Sequence, residues 1–347
     1  MRRHSTAGPV RAFPLLLAAL VPACAPGSAD TAASRGGVPG SAAAATAASA
    51  PGGRIDAERM LETVRYLADD ARRGRRTGTP GNEAARAYIV EAFRRVGLTP
   101  VAGGYTHPFT FTGRRDGSEY RGVNILGTIE GRVRPDRYIV ITAHYDHVGV
   151  GKPDATGDSI YNGADDNASG TAALLALAAY FHAHAPANSM LFAALDAEEM
   201  GLRGARALVA DPPVPLDDVV IDVNMDMVSR NARGELYVAG TYHYPFLAPL
   251  VERIAAGASV TLLPGHDRPG LPPGDDWTSA SDHGAFHAAG IPFLYFGVED
   301  HPDYHRPSDE VAKIDPDFYA RAVETILDVV LALDADLDAV AAQRGVE

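Results

Sequence analysis

Apolar and polar positions follow two rhythms along this chain. Residues 56–70 carry Met60, Leu61, Val64, Tyr66 and Leu67 at mostly helical spacing, which predicts an amphipathic helix. A basic, glycine-containing turn at 72–80 follows, then a second helix at 81–96 that Gly97 ends. Two strand-like runs, 107–112 and 123–130, flank the turn signal Asp116-Gly117 and predict an antiparallel edge pair. From residue 137 the pattern changes to repeated strand, loop and helix. Strand 138–143 leads to a helix at 169–184, capped by Asn167 or Ser169, and strand 190–195 leads to a short helix at 201–209. Strand 219–225, further strands at 235–239 and 292–297, and a closing helix at 315–334 complete the series. This alternation predicts an α/β fold, a mixed and mainly parallel sheet with helices on both faces.

The first 53 residues follow neither rhythm. Arg2, Arg3 and Arg11 surround and precede a short apolar run at 13–21, a basic segment followed by a hydrophobic one, as in an export signal occupying residues 1–23. The run is too short to span a bilayer stably. Cys24, the only cysteine, follows Val21-Pro22-Ala23, which resembles the lipobox of bacterial lipoproteins; ordinary signal cleavage near Ala23 is the alternative, since proline is unusual in a lipobox. Residues 24–53 are rich in Ala, Gly, Ser and Thr and read as a tether, leaving 54–347 as the folded domain. That domain holds no thiol, so disulfides and cysteine ligands are excluded from it. The expected destination is the outside of a bacterial cell, with a membrane reached only through lipid on Cys24.

The chain is 46% hydrophobic and 22% charged, enough apolar side chain to fill a large core. Its net charge of −13 becomes −16 once residues 1–23, with three arginines and no acid, are removed. An acidic domain without a basic stripe argues against nucleic acid as a partner.

The polar residues collect where strands end. The β-branched run 139–142 delivers His144 and Asp146, and Asp165 and Asp166 precede the next helix. Strand 190–195 leads to Asp196-Ala197-Glu198-Glu199, strand 219–225 to Asp226, and the loop 299–305 ends in His305. In open α/β sheets the loops beyond the carboxyl ends of strands form the ligand crevice. Imidazole nitrogen and carboxylate oxygen are ligands of zinc-like ions, so His144, Asp165, Glu199, Asp226 and His305 are candidate metal ligands.

With HYDH, GADDNASG, DAEE, NMDM, SDHGAF with GIP, and DYH in this order over about 54–335, the chain resembles the aminopeptidase-type family twenty-eight of the metallopeptidases. That family contains bacterial leucyl aminopeptidases, glutamate carboxypeptidases and glutaminyl cyclases. The resemblance implies a single zinc-exopeptidase domain of the phosphorylase/hydrolase-like kind, and two zinc ions bridged by Asp165. One ion is completed by His144 and Asp226, the other by Glu199 and His305. It further implies Glu198 as general base acting on a shared hydroxide, Asp146 as the residue orienting His144, and a cis bond between Asp165 and Asp166.

Ser281, Asp282 and His283 match an SDH motif, with helix capping and contact with the site both open. The tyrosine that stabilises the oxyanion in several aminopeptidases of the family has no counterpart among Asp276-Trp277-Thr278-Ser279, so that donor is unassigned; Tyr295 and Tyr304 are spare candidates. Arg230 is open between substrate contact and solvation. His147, His182, His184, His243 and His301 read as surface or structural. The expected substrate is a peptide or aminoacyl compound cleaved by an exported aminopeptidase, with a carboxypeptidase or dipeptidase on the same site as the alternative. A metal-binding lipoprotein without catalysis is the reading from another class, and Glu198 argues against it.

Overall fold

The computed structural model describes residues 53–344 except Ala102, Arg115 and Pro273. The expected export signal, Cys24 and the expected tether up to residue 52 lie outside the described residues.

The strands are β1 (Thr99–Pro100), β2 (Thr106–Thr112), β3 (Glu119–Ile129), β4 (Arg134–His144), β5 (Gly149–Val150), β6 (Ile160–Tyr161), β7 (Asn188–Leu195), β8 (Val219–Met225), β9 (Glu235–Ala239), β10 (Thr261–Pro264) and β11 (Phe293–Gly297). The helices are α1 (Ala57–Leu67), α2 (Pro80–Val96), α3 (Gly170–Ala183), α4 (Arg203–Ala210), α5 (Ala248–Ala255), α6 (His283–Ala288) and α7 (Pro316–Gln343). One sheet runs in the order β1-β3-β7-β4-β8-β11-β9-β10, with β2 paired to the outside of β3. Its centre, β7-β4-β8-β11, is parallel, while β3 joins β7 and β9 joins β11 in the antiparallel sense. The fold is therefore the mainly parallel α/β sheet that the alternation predicts, and all four central strands point their carboxyl ends the same way.

The centre of the sheet is dry. Every residue of β7 and β8 is buried, which is why both are mostly apolar without alternation, with Asn188 and Ser189 at the start of β7 and Asp222 and Asn224 within β8 as the buried polar exceptions. On one face α1, α2, α3, α5 and α7 enclose the larger core with Phe93, Leu177, Phe181, Phe192 and Val330; on the other α4 and α6 cover a smaller one with Leu191, Leu208 and Phe286. Burial of each such side chain stabilises the fold by roughly 1.5–3 kcal/mol.

Local chemistry sets the helix ends. Asp56 caps α1 by accepting from the Arg59 amide, Thr79 caps α2 ahead of Pro80, and Gly97 closes α2 at φ 91°. The closing helix starts where expected, capped by Asp315, but runs on to Gln343. The start of α3 decides between the two expected caps, Asn167 and Ser169. Residues Ala164–Ser169 form a wide turn, Ser169 already has helical angles, and its hydroxyl bonds back to the Asp165 carbonyl at 2.7 Å. Asn167 does the capping, accepting from the Gly170 amide at 2.8 Å. Gly170 is required here: a Cβ would lie 2.4 Å from the Met225 carbonyl oxygen, so only glycine lets α3 approach the end of β8.

Candidate active site

Three of the parallel strands end beside one another, and each delivers a side chain to the same place. His144 closes β4, with Nδ1 donating to the backbone carbonyl of Asp146 at 3.2 Å. This leaves Nε2 facing outward, 3.4 Å from Asp166 Oδ1 and 3.3 Å from Asp226 Oδ2. Asp226 follows β8 directly, its amide bonded to the Phe296 carbonyl of β11. Beyond β7 the chain turns sharply, with Ala197 at φ 60°, and Asp196 anchors the turn by accepting from Thr77, Asn82 and the amides of Val123 and Ala197. The Glu198 amide donates to Asp146 Oδ1 at 3.0 Å. Asp146 thus orients the imidazole through its backbone, at 3.2 Å against 3.6 Å for its carboxylate, and uses the carboxylate to fix Glu198.

Two groups of possible ligand atoms result, one of His144, Asp166 and Asp226, the other of His147, Asp166, Glu199 and His305. His305 Nε2 stands 3.1 Å from both Asp166 Oδ2 and Glu199 Oε2. Four of the five sequence-derived ligands, His144, Glu199, Asp226 and His305, are therefore brought together. Asp165 is not. Its neighbour Asp166 is the carboxylate common to both groups, presenting one oxygen to each.

The physical reason lies in the turn. Asp165 points back into the protein, where Oδ1 accepts from the Ser229 amide at 2.9 Å and hydroxyl at 2.6 Å, and from Ser169 Oγ at 3.2 Å. Its Oδ2 meets His301 Nε2 at 3.1 Å. The cis bond also lies one step further on than the resemblance implied, between Asp166 and Asn167. Below the turn, Asp309 accepts from the amides of both Asp165 and Asp166.

Electrostatics follow from this crowding. Burial pushes the Asp226 and Glu198 carboxyls up, and for Glu198 the nearby charges of Glu199, Asp282 and Asp226 add to it. Burial also opposes ionisation of Glu199, yet the imidazoles of His147 and His305 outweigh it and bring that carboxyl to about 2. The one buried cation behind the cluster, among the described residues, is Arg75. It is fully enclosed and donates to the carbonyls of Leu67, Tyr145, Asn162 and Gly163, tying the loop after β4 to the turn before α3. Burial lowers its pKa to about 10, and the charges of Asp166, Asp146, Asp309 and Glu199 counter that.

A cavity of about 240 Å³ opens onto the first group of donors and onto His305 of the second. His144, Asp166, Glu198 and Asp226 form its floor, Trp277, Tyr295 and Tyr304 its aromatic walls, and Asp276 and Asp300 add further acids.

The match to peptidase family M28 runs over residues 124–330, more than half of the chain, and takes in both groups of donors, Glu198 and the cavity lining, with Arg75 outside it. The chain belongs to peptidase family M28. Among curated M28-like relatives, a probable zinc metalloprotease of Leptosphaeria maculans is 32% identical over 46% of this chain and 38% of its own. The aminopeptidase YwaD of Bacillus subtilis is 29% identical over 55% of this chain and 40% of its own. The chain thus covers well under two thirds of these relatives' length. Solved structures of the same fold include a Zn-dependent exopeptidase of Parabacteroides distasonis, with TM-score 0.65 and 18% identity over 80% of this chain and 98% of that one. A glutaminyl cyclase of Bacteroides thetaiotaomicron fits equally well, with TM-score 0.65 and 19% identity over the same shares. The M28 chain is accordingly a member of a family of zinc metallopeptidases.

Around this M28 site, Arg75 escaped sequence reasoning, and the structure decides several residues that it left open. Arg75 sits in a run of four arginines that reads as a solvated turn, and nothing in the spacing singles it out. Of the surface or structural readings open for His147, the surface one fails, because the ring is buried against Glu199. Asp282 does not cap α6: it has helical angles, makes no cap hydrogen bond, and burial raises its carboxyl to about 8. His283 is held between Asn224 and the Trp277 carbonyl. Arg230 pairs with Asp303 at 2.7 Å and does not line the cavity. His301 binds Asp165, so it is neither a surface residue nor a donor of either group.

Proposed function

We propose that this chain is a dizinc exopeptidase that releases N-terminal residues from peptides. The observation that carries the reading is Asp166, whose two carboxylate oxygens face two separate sets of imidazole and carboxylate donors. The donor chemistry fits zinc, which takes nitrogen and oxygen ligands at about 2.0–2.2 Å. Tetrahedral bonds of that length put neighbouring ligand atoms about 3.3–3.5 Å apart, and the His144 group has spacings of 3.4 and 3.3 Å. The other Asp226 oxygen, Oδ1, is buried with no hydrogen-bond partner among the described residues, so the carboxylate as a whole is left short of the compensation a bound cation would give.

His144, Asp166 and Asp226 would hold one ion, and Asp166, Glu199 and His305 the other. When bound, such a pair supplies Lewis-acid polarisation of the scissile carbonyl and lowers the pKa of water. The chain does the rest. Glu198, in the cavity floor with its amide fixed by Asp146, is placed to take the proton of the attacking water on its carboxylate and hand it to the departing amine nitrogen. The aromatic walls exclude bulk water. Tyr295 and Tyr304 remain the hydroxyl donors available to a developing oxyanion.

The cavity lining favours an aminopeptidase over a carboxypeptidase. Among the described lining residues the charged groups, histidines aside, are all acids, with no lysine or arginine, so the lining suits a free α-ammonium better than a terminal carboxylate. The test compares hydrolysis of aminoacyl anilides with that of N-acetylated peptides bearing a free carboxyl terminus. Cleavage of the first alone is expected; cleavage of the second alone would replace this reading with a carboxypeptidase. Export with a lipid on Cys24 is proposed from the signal-like start of the sequence, and unchanged processing and membrane fractionation of Cys24→Ala would leave plain secretion.

A further inference from the structure

We infer that His147 is a metal ligand, so that the two ions are unequally held: four protein donors on one side, three on the other. This rests on the zinc reading above and goes beyond its five ligands. His147 ends the His144-Tyr145-Asp146-His147 segment beyond β4, and its ring is buried with neither nitrogen in a hydrogen bond. Nδ1 is nevertheless 2.7 Å from Glu199 Oε1 and 3.7 Å from Asp166 Oδ2, close to both without the alignment of an N–H···O bond. With His305 Nε2 at 3.1 Å from each of the same two carboxylates, the four atoms enclose a common point. Their spacings bracket the edge of about 3.3–3.5 Å that a tetrahedron of zinc bonds requires.

The backbone holds the ring in place. Gly163 has φ 56°, and a Cβ there would lie 2.6 Å from both Cγ and Cδ2 of His147, so the chain packs directly against the imidazole. A larger residue at 163 would displace it. Arg75 fixes the same stretch through the Gly163 and Tyr145 carbonyls.

The consequence is a division of labour between the ions. Four protein donors close a zinc site, as in structural centres, whereas three leave a position open for water or substrate. All three donors of the His144 group, His144, Asp166 and Asp226, line the cavity beside Glu198; of the four-donor group, His305 and the shared Asp166 reach it, and His147 and Glu199 do not. The open ion is therefore the one at His144, and the closed ion anchors Asp166.

The test uses full-length zinc-loaded protein, zinc titration against a competing chelator, and zinc X-ray absorption. Wild type should hold about two zinc ions with three imidazoles shared between them. His147→Gln should need more than about 100-fold higher free zinc to fill one site only, beyond the 10–100-fold expected for an outer partner. His147→Cys should restore retention and show sulfur at about 2.3 Å from zinc. Two zinc ions in wild type, with an unchanged imidazole count in His147→Gln and no sulfur in His147→Cys, would overturn the inference while leaving the dizinc reading intact. Wild type without zinc would overturn both.

Discussion

Asp165 and Asp166 are adjacent, equally acidic and both buried, yet they belong to different parts of the molecule. Asp165 faces inward, where an amide, two hydroxyls and an imidazole meet its oxygens. Asp166 faces the strand ends, where its close partners are the imidazoles of His144, His147 and His305. Burial alone therefore does not mark a ligand. What distinguishes Asp166 is that its partners are imidazoles, groups that bind metal as readily as they bind carboxylate, where Asp165 Oδ1 meets an amide and hydroxyls. The carboxylates of Glu199 and Asp226 gather around the same imidazoles.

The comparison can be broken most sharply at Glu198 and Glu199, another adjacent pair with divided roles. Glu198→Gln is expected to lower kcat by about 10²- to 10⁴-fold with zinc content unchanged, since every ligand remains. Glu199→Gln should instead shed zinc and regain part of its activity when zinc is added. Parallel elemental analysis and kinetics check both, and a Glu198→Gln enzyme near wild-type rate would reverse the assignment.

A smaller effect should appear on the inward side. Asp165→Asn removes the charge that the Ser229 and Ser169 donors face, and hydrogen bonds to charged groups contribute about 1.5–3 kcal/mol each. Denaturant unfolding should show a loss of about that size.

The smallest effect is a slope in pH. His283, like Asp165, is wholly partnered within the protein, and burial depresses its pKa to about 3. Between that value and about 6.5 the unfolded chain binds a proton that the folded chain refuses. Its contribution is thus fully present above about 6.5 and falls as pH drops, by at most about 1.4 kcal/mol per unit. The difference in unfolding free energy between wild type and His283→Gln should shrink over this range; a difference independent of pH would show that the folded protein accepts the proton.

The parallel order of the sheet was legible because the buried stretches of β4 (139–143), β7 (190–195) and β8 (219–225) are mostly apolar without alternation, broken only by Thr142, Asp222 and Asn224, as buried parallel strands are. Shorter elements were not. β10 is four residues ending in proline, α5 begins Ala248-Pro249, and α6 has only six residues, too few for a period to emerge. At the site, sequence placed acids and histidines at strand ends but could not choose between neighbours. Asp165 and Asp166 are the same residue twice, and only the turn through Asn167, packed by Gly170 against β8, decides which one faces out. His147 was missed for a related reason: one histidine past an HxD segment looks the same whether it packs or ligates.

The account stands on Asp166 as the carboxylate shared between two ions, and zinc content per chain in Asp165→Asn and Asp166→Asn, prepared alike, tests it most directly. Asp165→Asn should retain about two ions, as wild type does, because a dinuclear site needs only its bridging carboxylate and terminal ligands intact. Asp166→Asn should lose most of both. Full zinc in Asp166→Asn, or loss confined to Asp165→Asn, would contradict the account.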